Sequence, residues 1–310
     1  MALGTNHVTK TTADKFIPEI WSDEIIAAYK QNLVAANMFS KMAFKGKKGD
    51  TLHIPKPTRG SASVKAASTQ VTLIAATETE IQVLINKHYE YSRLIEDIVE
   101  TQALASLRKL YTDDAGYALA KQVDTDLIQL GRAVGSGTAY STAAASTNAF
   151  IGSNGTTVYN STSSNAAALT DAAIRRSIQR LDDADVPMTD RCMIVPPSTR
   201  NTLMGLARFT EQAFVGDVGS ANTIRNGMIG DLYGVMSYVS TNADTAAGNS
   251  ATDRICLLAH KDAFVLAEQM GVRSQTQYKQ EYLGTLFTSD MLYGVAELRD
   301  SSAVALAVPA

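Results

Sequence analysis

Histidines are the natural first candidates for proton transfer or metal ligation, and His7, His53, His88 and His260 show no metal-ligand spacing. His260-Lys261-Asp262 sets an imidazole beside an acid and would suit proton chemistry, although a turn at a strand end accounts for the same residues. Asp124-Thr125-Asp126 offers paired carboxylates, but a calcium loop needs a longer alternating ligand set around a central glycine. Leu127 and Ile128 interrupt it here. Gly227, Gly230 and Gly234 lack the following Lys-Ser/Thr of a phosphate loop and read as turn glycines. Gly-x-Ser-x-Gly, Cys-x-x-Cys and Gly-x-Gly-x-x-Gly are all missing from the chain. Cys192 and Cys256 lie singly in apolar runs, which suits buried thiols in a reducing cytoplasm better than a disulfide or ligand pair. The sequence assigns no catalytic residue, no metal ligand and no cofactor.

The remaining chemistry is that of contact. Lys45, Lys47, Lys48, Lys56, Arg59 and Lys65 gather on one segment, and Glu96, Asp97 and Glu100 follow it. The cations are either solvated or docked on an acidic neighbour, and their place on a protruding element favours docking. Phe16, Ile20 and Trp21 form an apolar group just before a helix that Ser22 can cap. This group either staples the helix internally or anchors the chain on a neighbouring subunit.

The elements that position these residues follow from periodicity. Ile25, Ile26, Tyr29, Leu33 and Val34 recur at helical spacing. Thr51 to Ile54 and Val71 to Ile85 alternate as strands around a tip, Arg59 to Ser68, poor in large apolar residues. A two-stranded ribbon of this kind is marginal alone and must lean on something else. From Arg93 to Arg132 an apolar stripe predicts one helix of nearly 40 residues, roughly 60 Å long. Gly135 to Ala168 is rich in Ser, Thr, Ala, Asn and Gly and predicts an exposed loop or weak hairpin, so exchanging Ser141 to Ser164 for a linker should cost the subunit little. Thr170 should cap a helix from Asp171 to Asp183, Arg191 to Val195 should be a buried strand, and Ser198 should open another helix.

Composition sets outer limits. The 310 residues, 45% of them hydrophobic, can bury a substantial core. A net charge of −3 argues against a dedicated nucleic-acid binder. No apolar run approaches the roughly 18 residues of a membrane span.

One family shares these motifs in this order. Phe16-Ile17-Pro18-Glu19-Ile20-Trp21-Ser22 followed by Gly49-Asp50-Thr51 and Pro55-Lys56-Pro57 resembles the start of a tailed-phage major capsid protein of the HK97 fold, in particular a podophage-like coat protein. Asp124 to Gly131 resembles the end of its spine helix, Gly227 to Asn242 and Arg254 to Ala259 its axial strands, and Tyr278 to Val308 the closing strands of its peripheral domain. The resemblance implies an α+β fold with an N-terminal arm at 1–48, an extended hairpin (E-loop) at 49–90, a spine helix at 91–134, an axial domain at 169–269 and peripheral closing strands at 270–310. It leaves 135–168 as an insertion. It further implies a virion shell protein, assembled in the host cytoplasm as hexamers and pentamers of an icosahedral capsid enclosing double-stranded DNA held non-specifically. The alternative it carries is an encapsulin-like cellular compartment shell. Implied partners are further copies of the chain, a portal protein and, because the arm starts almost at Met1, a separate scaffolding protein, with room for a decoration protein and no membrane. The interface residues expected on this basis are Phe16, Trp21, Lys56, Arg59, Lys65, Glu96, Asp97 and Glu100.

Overall fold

The computed structural model describes residues 33–44, 48–57, 60–74, 78–98, 107–135, 139–140, 145–206, 231–246 and 253–310. The expected N-terminal helix, Phe16, Trp21, Arg59, Glu100 and the Gly227–Gly230 turn lie outside these residues.

The chain enters through a single helical turn, α1 (Ala35–Met38), and strand β1 (Ser40–Ala43). A hairpin follows, β2 (Thr51–Lys56) and β3 (Thr79–Leu84), paired in antiparallel register from Thr51 opposite Leu84 to Lys56 opposite Thr79. Then come β4 (Lys87–Glu96) and the long helix α2 (Leu107–Gln129), which a 3-10 turn extends to Arg132. The second half supplies β5 (Ala145–Ile151), β6 (Val158–Asn160), α3 (Asp171–Asp183), β7 (Arg191–Val195), α4 (Pro197–Met204), β8 (Met236–Val239), β9 (Thr245–Ala246), β10 (Asp253–His260), β11 (Phe264–Lys279), β12 (Gly284–Glu297) and β13 (Ala303–Val308).

These strands make two large sheets. One has four strands in the order β1-β11-β12-β4, and the other has seven, ordered β6-β5-β13-β10-β7-β8 with β9 on the end of β10. The seven-stranded sheet is covered on both faces, which is why its strands read as unbroken apolar runs. Ile194 and Leu257 point into a core shared with Leu119, Val123 and Leu127 of α2 and with Phe264, Met291 and Tyr293 of the four-stranded sheet. Met193, Val195, Cys256 and Leu258 point the other way, against Ile174 and Leu181 of α3 and Leu203 of α4. A central strand from Met193 to Val195 is therefore observed. Helix α3 spans the expected residues, and the Thr170 hydroxyl accepts from the Ala173 amide as its cap.

Several expectations are corrected. Residues 87–96 form β4, paired with β12 from Lys87 opposite Tyr293 to Glu96 opposite Gly284, so no helix begins at Arg93. The described part of α2 has 23 residues, about 35 Å, and residues 99–106 before it lie outside the described residues. The return strand of the hairpin covers Thr79–Leu84 and not Val71 onward. Ala303–Val308 does not close the four-stranded sheet: β13 lies in the seven-stranded sheet between β10 and β5. Nor is 135–168 an exposed insertion. Strand β5 pairs in parallel with β13, and Tyr140, Ala149 and Tyr159 are fully buried against Ile255, Ala305 and Ala307. Few large side chains sufficed because two tyrosines bury much area each and the strand borrows its ladder from β13.

Candidate subunit interface

The hairpin is fixed at its root and open at its tip. At the root the Ile85 amide donates to the Asp50 carbonyl at 2.8 Å and Gln269 Nε2 donates to the Gly49 carbonyl at 3.0 Å. Val83, 0% exposed, packs on Val265 and Ala267 with Leu52 and Ile54 beside it. Leu84 crosses β12 so closely that a Cβ on Gly294 would stand 2.3 Å from the Leu84 carbonyl oxygen, and only glycine permits that approach. Beyond the root, residues 60–74 form no strand and are exposed throughout. Val64, Val71, Leu73 and Ile74 are all solvent-facing, Val64 and Leu73 almost completely. Fully burying side chains of this size is worth about 1.5–3 kcal/mol each, so the tip carries unused association energy.

The sequence-predicted interface residues separate into groups. Lys56 ends β2 opposite Thr79 and is exposed, and Lys65 is exposed near the tip. Glu96 and Asp97 are exposed, Glu96 as the last residue of β4 and Asp97 just after it. Asp97 accepts the Tyr278 hydroxyl at 2.8 Å and its amide donates to the Leu283 carbonyl at 3.0 Å, which ties it to the turn between β11 and β12. The apolar tip residues Val71, Leu73 and Ile74 went unread as contact residues, although their alternation was visible.

The carboxylates in the interior are joints, each surrounded by donors. Asp124, 0% exposed, accepts from the amides of Val34 at 3.0 Å and Ala35 at 2.7 Å with one oxygen, and from Asn242 Nδ2 at 3.0 Å with the other. It thereby caps α1 and fastens the entering chain to α2 and to the segment after β8. Asp126 accepts from the Tyr293 hydroxyl at 2.7 Å and pairs with Lys87 Nζ at 3.1 Å. Asp244 receives a two-pronged contact from Arg132, both bonds 2.7 Å, and the Tyr140 hydroxyl at 2.8 Å. Asp253 accepts from Tyr159 at 2.8 Å. Burial first, and the adjacent carboxylates second, hold the hydroxyls of Tyr140, Tyr159 and Tyr293 above their usual pKa, so they stay neutral donors. On the four-stranded sheet, Arg273 above all, with help from His88, keeps Asp290 below the usual carboxylate range. Burial pushes the thiols of Cys192 and Cys256 up to about 12. Such groups join elements that are distant in sequence. Among the described residues no group of three or more His, Cys, Asp or Glu could hold a metal ion, and no helix is long and apolar enough to cross a membrane.

The described residues thus form two sheets with helices packed on them and a hairpin whose tip is open to solvent. A family model described as phage capsid protein matches residues 39–306, most of the chain, and the chain belongs to that family. Solved structures agree in fold. A chain of Mycobacterium phage Che8 is 22% identical with a TM-score of 0.74, covering 94% of this chain and 97% of that one. The capsid of cyanophage P-SCSP1u is 20% identical with a TM-score of 0.75, covering 99% and 96%, and that of cyanophage Pam1 is 15% identical with a TM-score of 0.72, covering 99% of each. No curated protein sequence matches the chain. The fold is the HK97-type capsid fold, and the protein is a major capsid protein that builds an icosahedral bacteriophage shell from repeated copies. The encapsulin alternative finds no support.

Proposed function

We propose that the subunits assemble as hexamers and pentamers in the host cytoplasm and enclose double-stranded DNA without sequence preference. A separate scaffolding protein, a portal protein and a decoration protein are the partners this reading calls for, and the role is structural without catalysis. In this reading α2 and the four-stranded sheet make the peripheral domain, and the seven-stranded sheet with α3 and α4 makes the axial domain.

The observation that carries the reading is the hairpin: a root locked on β11 and β12, and a tip with four large apolar side chains in solvent. A soluble monomer gains nothing from such an element, whereas a shell subunit can lay it on the next copy. Docking combines that apolar surface with the charges of Lys56, Arg59 and Lys65, and the Phe16–Trp21 group adds a second anchor between subunits. Glu96, Asp97 and Glu100 are the acidic side of the contact.

The test replaces Val64 and Leu73 by Ser, and in a second variant Lys56 and Lys65 by Glu. Both should leave subunit melting unchanged, because exposed groups contribute little to the monomer, while lowering the yield of shells seen by electron microscopy. Normal shell yields from both variants would remove the hairpin from the assembly contact.

A further inference from the structure

The first described residues form the wall of a pocket. Leu33, Val34 and Met38 line one side of a cavity of about 410 Å³, and Met236 and Tyr238 of β8 line the other. Asp124 fixes the first wall by accepting from the Val34 and Ala35 amides. Strand β7 fixes the second, pairing with β8 from Cys192 opposite Met236 to Val195 opposite Val239. Asp190 and Lys261 complete the lining, held side by side because the Lys261 amide donates to the Asp190 carbonyl at 3.1 Å. Met236 is still 54% exposed, a large apolar side chain that the described residues leave uncovered.

The lining selects its occupant by chemistry. Two thioethers and a phenol ring favour an aromatic side chain, because sulfur is attracted to ring edges and aromatic pairs add to the gain from buried area. The Asp190 carboxylate suits a ring that carries a donor, and the indole N–H is a donor only. The Lys261 cation suits acidic residues beside that ring. Trp21 is the one tryptophan of the sequence, and Glu19, Asp23 and Glu24 flank it. It lies outside the described residues, twelve positions before Leu33. We propose that the pocket of one subunit receives Trp21 of a neighbouring copy of the chain, with the acidic flanks of Trp21 against Lys261. The inference rests on the reading that the Phe16–Trp21 group anchors between subunits, and it gives that anchor a receiving site. Reach makes the donor a neighbour. The spacing of Ile25, Ile26, Tyr29 and Leu33 predicts a helix, which over twelve residues would set Trp21 about 18 Å from Leu33 and away from its own pocket.

Cross-linking in assembled shells of the full-length chain tests this. In a Cys192→Ala, Cys256→Ala background, subunits carrying Trp21→Cys are co-assembled with subunits carrying Met236→Cys. They are then oxidised with diamide, which takes up two electrons and the two thiol protons as the S–S bond forms. The expected product is a disulfide-linked dimer that neither kind gives when assembled alone. A dimer from Trp21→Cys subunits alone, an internal disulfide in a chain carrying both substitutions, or no disulfide at all overturns the proposal. Fluorescence supplies a measurement that leaves Trp21 in place. Its emission should move to shorter wavelength on assembly and remain that of a solvated indole in shells of Met236→Lys, a change at an exposed position. A shift that Met236→Lys leaves intact overturns this pocket while the anchor stands, whereas no shift on assembly overturns the anchor as well.

Discussion

Removing the Asp124 carboxylate should release the start of the described chain from the body of the subunit. Asp124→Ala leaves the Val34 and Ala35 amides without an acceptor in a site where Asp124 and Ala35 are 0% exposed. Asn242 loses one of its bonds but keeps Thr125 Oγ1 at 2.9 Å. An unsatisfied buried donor costs about 1–3 kcal/mol, so the two amides alone predict a loss of about 2–6 kcal/mol, a large share of a typical 5–15 kcal/mol stability. Asp124→Asn retains one acceptor oxygen for the amides but turns an NH2 towards Asn242, for an expected loss of about 1–3 kcal/mol. Urea unfolding of the full-length subunit gives the global loss, and hydrogen exchange at Val34 and Ala35 shows whether this segment opens first. If Asp124→Ala unfolds within about 1 kcal/mol of the native chain and both amides stay protected, the carboxylate is not the anchor.

Tyr159→Phe should cost about 1–3 kcal/mol by stripping the donor from buried Asp253, and exchanging Ser141 to Ser164 for a linker should prevent folding by deleting β5 and β6; thermal melting and soluble yield check both. Gly294→Ala should loosen the hairpin root, read as faster exchange at the Ile85 amide, because its Cβ would meet the Leu84 carbonyl oxygen at 2.3 Å; unchanged exchange would mean that the crossing relaxes without strain. With their thiols pushed up to about 12, Cys192 and Cys256 should resist a thiol reagent at pH 8 and react only as the chain unfolds in urea. Rapid labelling of the native subunit would contradict their burial.

The parts of the fold legible in the sequence are those where local pattern and tertiary environment agree. Thr170 ahead of Ile174, Ile178 and Leu181 marks a capped amphipathic helix, and Arg191 to Val195 before two prolines marks a buried strand. Ile95 and Ile98 fit a helical stripe, which is why the sequence suggests a helix from Arg93 where β4 still runs to Glu96. The alternation of Tyr89 and Tyr91 with His88 and Glu90 carried the strand signal, and pairing with β12 decides it. Residues 145–160 were misjudged because burial was inferred from the number of apolar side chains, whereas here Tyr159 and Tyr140 fill the space and Asp253 and Asp244 satisfy their hydroxyls. The placement of β13 could not be read locally, since Val304-Ala305-Leu306-Ala307-Val308 would suit either sheet. On the hairpin Lys56 and Lys65 are legible as exposed charge, whereas the apolar residues Val71, Leu73 and Ile74 are obscured by the small residues around them. The Asp124 joint connects positions about ninety residues apart in sequence and leaves no local trace.

Electron cryomicroscopy of the chain, expressed alone and with the scaffolding protein proposed for it, tests the shell assignment. The account predicts closed icosahedral shells in which residues 60–74 of one subunit lie across another, with Val64 and Leu73 covered and Asp124 still holding Val34 and Ala35. Shells in which the hairpin tip stays in solvent, or a chain that remains a compact monomer under both conditions, would contradict it.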